Sequence, residues 1–183
     1  MKGFGEKERS KTKSNKKTKP SIEQIINQAF KFHSQGNILE AANNYQYLIN
    51  KGFKDHRIFS NYGSILKNLG KLKEAELSTR KAIELKPDFA QAYSNLGNIL
   101  KDLGNLKDAE LSYRKAIEIK PDYADVHYNL GNILKDLGNL QEAEISYRKA
   151  IELKPGFAMA HSNLGNILSD LGNLQEAEIS YRK

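Results

Sequence analysis

The chain contains 183 residues with a formal net charge of +7, and it has no cysteine. The absence of cysteine excludes disulfide bonds, thiolate catalysis and cysteine-ligated zinc. No stretch approaches the roughly 18 apolar residues of a membrane-spanning helix, and the N-terminus lacks the apolar segment of a secretory signal, so the sequence predicts a cytoplasmic protein without a transmembrane segment.

The first element in chain order is a basic tail over residues 1–21. Residues 1–20 hold eight lysines and arginines but two glutamates, so they carry +6 of the chain's net charge of +7. With Phe4 as their single aromatic residue, they bury too little apolar surface to order themselves, and we expect the tail to be disordered. Its charge leaves open a weak, salt-sensitive contact with anionic lipid or nucleic acid. Because the rest of the chain is near neutral, we expect no specific nucleic-acid binding there.

After the tail, the sequence repeats with a period of 34 residues. Two successive copies agree without gaps at 24 of 34 positions. A period of this length is typical of solenoids, in which each unit packs only against its neighbours. We therefore expect five stacked units instead of one globular core, the first degenerate and the last incomplete. The predicted boundaries are 22–55, 56–89, 90–123, 124–157 and 158–183.

Each copy contains two runs of apolar residues at helical spacing. In the copy at 90–123, Leu96, Leu100 and Leu103 mark the first helix, and Ala109 and Tyr113 begin the apolar face of the second. The pattern therefore predicts a pair of antiparallel helices joined by a tight turn.

Glycine, asparagine and proline predict where these helices begin and end. Gly104 is expected to end the first helix, and Pro121 to close the second. Asn105 is expected to cap the free N–H groups of the second helix, with Asp108 three residues later near its positive end. Asp122 is expected to cap the first helix of the next unit.

A glycine also lies in the middle of each first helix, as at Gly97, where it costs roughly 1 kcal/mol relative to alanine. Helices tolerate that cost where they cross closely. We expect Gly97 to face Ala109 on the antiparallel helix of its own unit, and Gly131 and Gly165 to face the alanines at the equivalent positions.

Numbered from Ala90, the copies share an aromatic residue or histidine at position 4, Leu at 7, Gly at 8, Leu at 11, Ala at 20, Tyr at 24, Ala at 27 and Pro at 32. This pattern resembles the tetratricopeptide repeat (TPR), and the resemblance covers Ile22 to Lys183. It implies an all-α fold, an α-solenoid of antiparallel helix pairs forming a right-handed superhelical arc. The copy at 56–89 departs at Tyr62 and Thr79, and the copy at 22–55 keeps few of the shared residues.

The sequence contains few residues that could support catalysis or metal binding. His127 and His161 stand at position 4, where sister units carry aromatic residues, so packing explains them. They are also one unit apart, roughly 10 Å at usual helix spacing, which is too far to share a metal ion. No phosphate-binding loop, nucleophile motif or calcium loop is present. We expect no enzyme activity, no cofactor and no metal in this chain.

Positions 2, 5, 6, 9 and 13 share one face of each first helix, and that face is rich in asparagine. In the TPR family it lines the concave groove. An asparagine amide is both donor and acceptor, so it can pair with the backbone of an extended peptide. The arrangement resembles the asparagine ladder of the TPR arrays of O-GlcNAc transferases. The predicted peptide-binding residues are Asn61, Asn95, Asn98, Tyr128, Asn129, Asn132, Asn163 and Asn166.

Two functions follow from these observations. The first is a scaffold for protein–protein interaction that binds an extended peptide segment of a partner in the groove. The alternative is a substrate-recruiting arm of a larger enzyme, such as a glycosyltransferase, whose catalytic domain lies beyond Lys183. The last copy stops at its position 26, which predicts that Leu171 and Tyr181 are left uncovered. Either the natural chain continues, or two copies associate end to end through this surface.

Overall fold

The computed structural model describes residues 20–183, and within that range the chain forms ten α-helices. The predicted disorder of the tail and its predicted contact with anionic surfaces concern residues 1–19, which lie outside the described part of the chain. The helices are α1 Ile22–Ser34, α2 Ile38–Asn50, α3 His56–Asn68, α4 Leu72–Leu85, α5 Ala90–Asp102, α6 Leu106–Ile119, α7 Ala124–Asp136, α8 Leu140–Leu153, α9 Ala158–Asp170 and α10 Leu174–Tyr181.

The helices pack in antiparallel pairs, α1 with α2 through α9 with α10, and each pair packs on the next, which confirms the all-α solenoid. Small residues let the two helices of a pair approach closely, as Ala109 and Ala116 do in α6, where both are fully buried. Leucines and isoleucines of the first helices, such as Ile99 and Leu100, fill the space between pairs. None of the helices in residues 20–183 is long and apolar enough to cross a membrane.

The turn at Gly104 ends α5 as predicted. Gly104 has a φ of 79°, a left-handed conformation that glycine adopts without steric cost. The Asn105 amide donates to Leu100 O at 2.9 Å, and the Gly104 amide donates to Lys101 O at 2.9 Å. These two bonds form a Schellman motif, which satisfies the last carbonyl groups of the helix.

The prediction that asparagine side chains cap the second helices is wrong. Asn105 does occupy the position before α6, but its side chain makes no capping hydrogen bond, and Asn139 behaves in the same way before α8. The tight turn holds Asn105 at φ −85° and ψ 67°, outside the extended conformation of a capping residue. Asp122 is not a cap either, because Tyr123 is the residue that precedes α7.

Side-chain caps occur instead at the N-terminal end of the array. The Ser21 hydroxyl accepts from the Gln24 amide at 3.2 Å, and the Gln24 side chain accepts from the Ser21 amide at 2.7 Å. This reciprocal pair is a capping box. At α3, the Asp55 carboxylate accepts from the Arg57 amide at 2.8 Å.

The mid-helix glycines have a nearer neighbour than the predicted alanine. A Cβ atom on Gly97 would lie 2.5 Å from Cε1 of Tyr113, and one on Gly131 would lie 2.6 Å from Cε1 of Tyr147. In the second unit the predicted alanine does lie close, with Ala75 O 3.1 Å from a Cβ placed on Gly63, whereas the atoms nearest Gly97 belong to Tyr113 and not to Ala109. The glycine leaves room for an aromatic ring one helical turn further along α6 than that alanine.

The two ends of the array differ in chemistry. In α5 the surface packed toward the preceding pair is apolar, whereas α1 carries exposed polar residues at the same positions. At the other end Tyr181 is 51% exposed, although its counterparts in α6 and α8 are fully buried. Leu171 is half-buried against the core, so the predicted uncovering holds for Tyr181 but not for Leu171. The α1 residues are Gln24, Gln28, Lys31 and Gln35, in place of Ala92, Leu96, Ile99 and Leu103.

Candidate functional site

The predicted peptide-binding residues all belong to the first helices of their pairs, which lie side by side. We call them together the asparagine face. In α5, α7 and α9 the asparagines at positions 6 and 9 are one turn apart on each helix, and hydrogen bonds link them across neighbouring helices. The residues of the asparagine face are Asn61, Asn95, Asn98, Tyr128, Asn129, Asn132, Asn163 and Asn166.

In the last three pairs, a tyrosine from the second helix holds the asparagine at position 9. The Tyr113 hydroxyl donates to Asn98 Oδ1 and the Tyr147 hydroxyl donates to Asn132 Oδ1, each at 2.8 Å. The rings are the same ones that lie against the mid-helix glycines. Sequence reasoning assigned these tyrosines to the core alone. The signal that could have found them is the joint occurrence of Gly at position 8, Asn at 9 and Tyr at 24.

A second bond crosses from each unit to the next. Asn163 Nδ2 donates to Asn132 Oδ1 at 2.8 Å, and Asn129 Nδ2 lies 3.5 Å from Asn98 Oδ1. Asn132 Oδ1 therefore accepts from both Tyr147 and Asn163, while its own Nδ2 has no hydrogen-bond partner within residues 20–183. The amides of Asn129, Asn132 and Asn163 are thus fixed in orientation, with one end of each engaged and the other end available.

Toward the N-terminal end of the array, the asparagines of the face have different hydrogen-bond partners. Asn95 is satisfied at both ends, because its Nδ2 donates to Ser60 Oγ at 3.1 Å and its Oδ1 accepts from Gln91 Nε2 at 3.0 Å. Asn61 Nδ2 donates to the Tyr45 hydroxyl at 3.3 Å, and Ser64 stands where the later helices carry the second asparagine. The regular pattern of engaged and available amides therefore begins at Asn98 of α5 and continues on α7 and α9.

Tyr128 is the aromatic member of the asparagine face. Its ring centre lies 4.9 Å from that of Phe157 and 6.0 Å from that of Tyr147. Its hydroxyl accepts from Asn163 Nδ2 at 3.4 Å. The ring is half-buried, so one side packs on the protein and part of it faces solvent.

The electrostatics of the face are those of neutral hydrogen-bonding groups. Burial raises the pKa of the Tyr113 and Tyr147 hydroxyls well above the usual tyrosine range, with smaller contributions from Asp102 and Tyr128 respectively. Both tyrosines therefore remain protonated donors at physiological pH. At the edge of the face, Lys67 Nζ lies 3.1 Å from the Asp102 carboxylate and balances its charge.

The histidines at position 4 are buried in the protein and lie beside backbone carbonyl groups. His127 and His161 are buried, and each Nε2 lies 2.9 Å from a proline carbonyl oxygen of the preceding turn, Pro121 and Pro155. In the part of the chain that the structure describes, no three His, Cys, Asp or Glu side chains cluster closely enough to hold a metal ion.

Comparison with protein families finds matches along most of the repeat region. A model described as TPR repeat matches residues 63–104 and 97–138, and models described as tetratricopeptide repeat match residues 124–157 and 146–179. No curated protein matches the chain.

Solved structures of similar fold include several helical repeat proteins. A crystal structure of MamA is 25% identical with a TM-score of 0.77, covering 84% of this chain and 90% of that one. MamA 41-end from Desulfovibrio magneticus RS-1 is 20% identical with a TM-score of 0.78, covering 88% and 91%. YrrB, a TPR protein with an unusual peptide-binding site, is 22% identical with a TM-score of 0.72, covering 87% and 82%.

Proposed function

Because the chain belongs to the tetratricopeptide repeat family, we propose that it is a protein-interaction scaffold that binds an extended segment of a partner protein across the asparagine face. The asparagine ladder of O-GlcNAc transferases is an analogy for this mode of contact, and the identity of the partner is not part of the proposal. YrrB, which shares the fold, has a peptide-binding site, so the architecture is compatible with this function.

The observation that carries the proposal is the fixed orientation of the amides. Asn132 presents Nδ2, a donor suited to a peptide carbonyl, and Asn163 presents Oδ1, an acceptor suited to a peptide N–H. An extended peptide rises about 3.3 Å per residue, so units roughly 10 Å apart would meet about every third residue. Since the tyrosine and cross-unit bonds already hold these side chains, little conformational entropy is lost on binding.

A selection from a pool of random dodecapeptides tests the proposal, because such a peptide spans about 40 Å when extended. The test variant changes Asn95, Asn129 and Asn163 together to alanine, which leaves the bonds from the tyrosines to the position-9 asparagines in place. The control variant makes the same three changes at the exposed row before the second helices, whose side chains make no capping bond: Asn105, Asn139 and Asn173.

We expect the parent and the control to retain peptides from the pool and the test variant to lose most of that binding. The substituted amides are half-buried and bonded to neighbouring units, so the test variant also loses about 0.5–1.5 kcal/mol of stability per hydrogen bond. Circular dichroism at the assay temperature verifies that it is folded. Equal peptide retention by the test and control variants would contradict the proposal.

A further inference from the structure

The asparagine face repeats from unit to unit, and this repetition leaves the position of a bound peptide undefined. Asn98 with Asn129, and Asn132 with Asn163, form equivalent contacts one unit apart. A peptide held by its backbone alone would keep most of these hydrogen bonds after sliding by one unit, which is about three residues. A single bound register requires a side chain that differs between units.

We propose that Tyr128 is that side chain, and that it sets the register by holding one apolar or aromatic side chain of the bound segment. This inference rests on the proposed peptide binding and specifies the chemistry of the partner. The segment would be extended, would be read mainly through its backbone, and would carry one apolar anchor over the seam between α7 and α9.

The first support is that Tyr128 breaks the repeat pattern. The equivalent position holds Ser60, Ser94 and Ser162 in the second, third and fifth units, and Ile26 in the degenerate first unit. Among positions 2, 5, 6, 9 and 13 of α5, α7 and α9, Tyr128 is the one aromatic residue.

The second support is that the ring is fixed. It packs against the buried cluster of Ala150, Phe157 and Ala160, and Asn163 donates to its hydroxyl at 3.4 Å. A tyrosine held on one side and open on the other offers a large contact area at low conformational cost, which suits a binding anchor.

The third support is the apolar character of the neighbouring position on α9. Met159 is 59% exposed and lies in sequence between Phe157 and Ala160, two members of the cluster on which Tyr128 packs. The equivalent residues in the two preceding units are the polar Gln91 and Asp125. Met159 is flexible and polarizable, so it adapts to an apolar or aromatic partner group.

Next to Phe157, Lys154 and Asp125 form an exposed ion pair, which favours an apolar anchor over a charged one at this end of the seam. Lys154 Nζ lies 4.6 Å from the ring centre of Phe157 and 4.0 Å from Asp125 Oδ1. A charged side chain of the partner would find both Lys154 and Asp125 already paired with each other.

The dodecapeptide pool also tests this inference, with two variants of Tyr128, one without the ring and one with it. Tyr128→Ser installs the residue of the sister units, and Tyr128→Phe keeps the ring but removes the hydroxyl. For the parent and Tyr128→Phe we expect an enrichment of about tenfold for apolar or aromatic residues at one peptide position. For Tyr128→Ser we expect the positional enrichment to be lost, because the ring that holds the anchor is absent, while the asparagines of the face still bind peptide backbones.

A selected peptide with a nitroxide at its C-terminus reports the register directly. In ¹⁵N NMR spectra of the parent, we expect the label to broaden asparagine side-chain signals at one end of the asparagine face. With Tyr128→Ser, the broadening should spread over equivalent asparagines of successive units. Failure of the parent to bind the pool would overturn the proposed peptide binding itself. Binding without enrichment, or enrichment and a single label position that survive Tyr128→Ser, would overturn the role of Tyr128 alone.

Discussion

At the scale of single residues, the tyrosine at position 24 links the core to the asparagine face. In Tyr147 the ring occupies the space left by Gly131 and the hydroxyl orients Asn132. The second unit lacks this arrangement, because Thr79 replaces the tyrosine opposite Gly63, and its buried hydroxyl has no hydrogen-bond partner in residues 20–183. That unit also lacks the second asparagine, so the ring and the amide are absent together.

The close contact between Gly131 and Tyr147 leads to a stability prediction. Alanine at position 131 would gain about 1 kcal/mol in helix propensity. Its Cβ would nevertheless lie 2.6 Å from Cε1 of a fully buried ring whose hydroxyl is also held. Overpacking of this kind costs about 1–3 kcal/mol. We expect Gly131→Ala to lower the free energy of unfolding, measured by urea denaturation.

Gly156 provides the matched control. It lies in the turn after α8, its φ is not positive, and a Cβ atom there would meet no atom within 4 Å. Gly156→Ala should therefore leave stability unchanged or raise it by up to about 1 kcal/mol, since it restricts the unfolded chain. If both alanine variants were equally stable, the close packing of the ring over Gly131 would be disproved.

At the scale of helices, the sequence predicts well which segments are helical and where they end. It predicts less well which side chains cap the helices and which ones pack against each other. Glycine and proline mark the helix ends because their backbone restrictions are local, and Gly104 ends α5 as expected. The capping role of Asn105 could not be predicted reliably, because it depends on the dihedral angles that the turn imposes. The ring of Tyr113 over Gly97 was missed for a similar reason, since sequence spacing does not reveal which side chain of α6 lies nearest to the glycine.

The same limit applies to the asparagine face. The helical period predicts which residues share a face, and the structure places Asn129 and Asn163 on that face in neighbouring helices. Which end of each amide is available depends on the distance between α7 and α9 and on the reach of Tyr147. Those distances arise from packing between units, so no single copy of the repeat encodes them.

The difference between the caps can be measured. Ser21→Ala removes half of the capping box of α1 and should cost about 1 kcal/mol. Asn139→Ala removes a side chain that makes no capping bond, so we expect a change below about 0.5 kcal/mol. Hydrogen exchange at the first turn of α1 and of α8 would report the two effects locally. Equal loss of protection at both helix starts would show that Asn139 does cap α8 in solution.

At the scale of the whole molecule, contacts between neighbouring units hold the array together. Arg114 bridges Glu110 on its own helix and Glu142 on the next second helix, and Arg148 repeats the arrangement with Glu144 and Glu176. Exposed pairs of this kind contribute little individually. The larger contribution comes from apolar stripes such as Ala160, Leu164 and Ile167 on α9, which are buried against the preceding pair.

The two ends of the array therefore behave differently. With Gln24, Gln28 and Lys31 at the stripe positions, the outer surface of α1 is polar, as solubility requires of a terminal unit. This surface is a poor cover for the exposed Tyr181 of a second copy, so the structure gives no support to head-to-tail association. Association between two C-terminal ends stays a prediction, to be checked by analytical ultracentrifugation at increasing concentration.

The exposed surface of α10 should be stabilised by an added helix with an apolar packing face but not by one with a polar face. We expect an extension after Lys183 that repeats residues 150–157 and adds a helix with the stripe of α9 to raise the melting temperature. Covering Tyr181 and Leu174, which are both exposed here, should yield at least about 1 kcal/mol, or roughly 2–4 °C for a protein of this size. The control extension carries the α1 residues Gln24, Gln28 and Lys31 at the same stripe positions. It should leave the melting temperature and the hydrogen exchange of α10 unchanged. If both extensions protected α10 equally, added helix length and not burial of Tyr181 would be the cause.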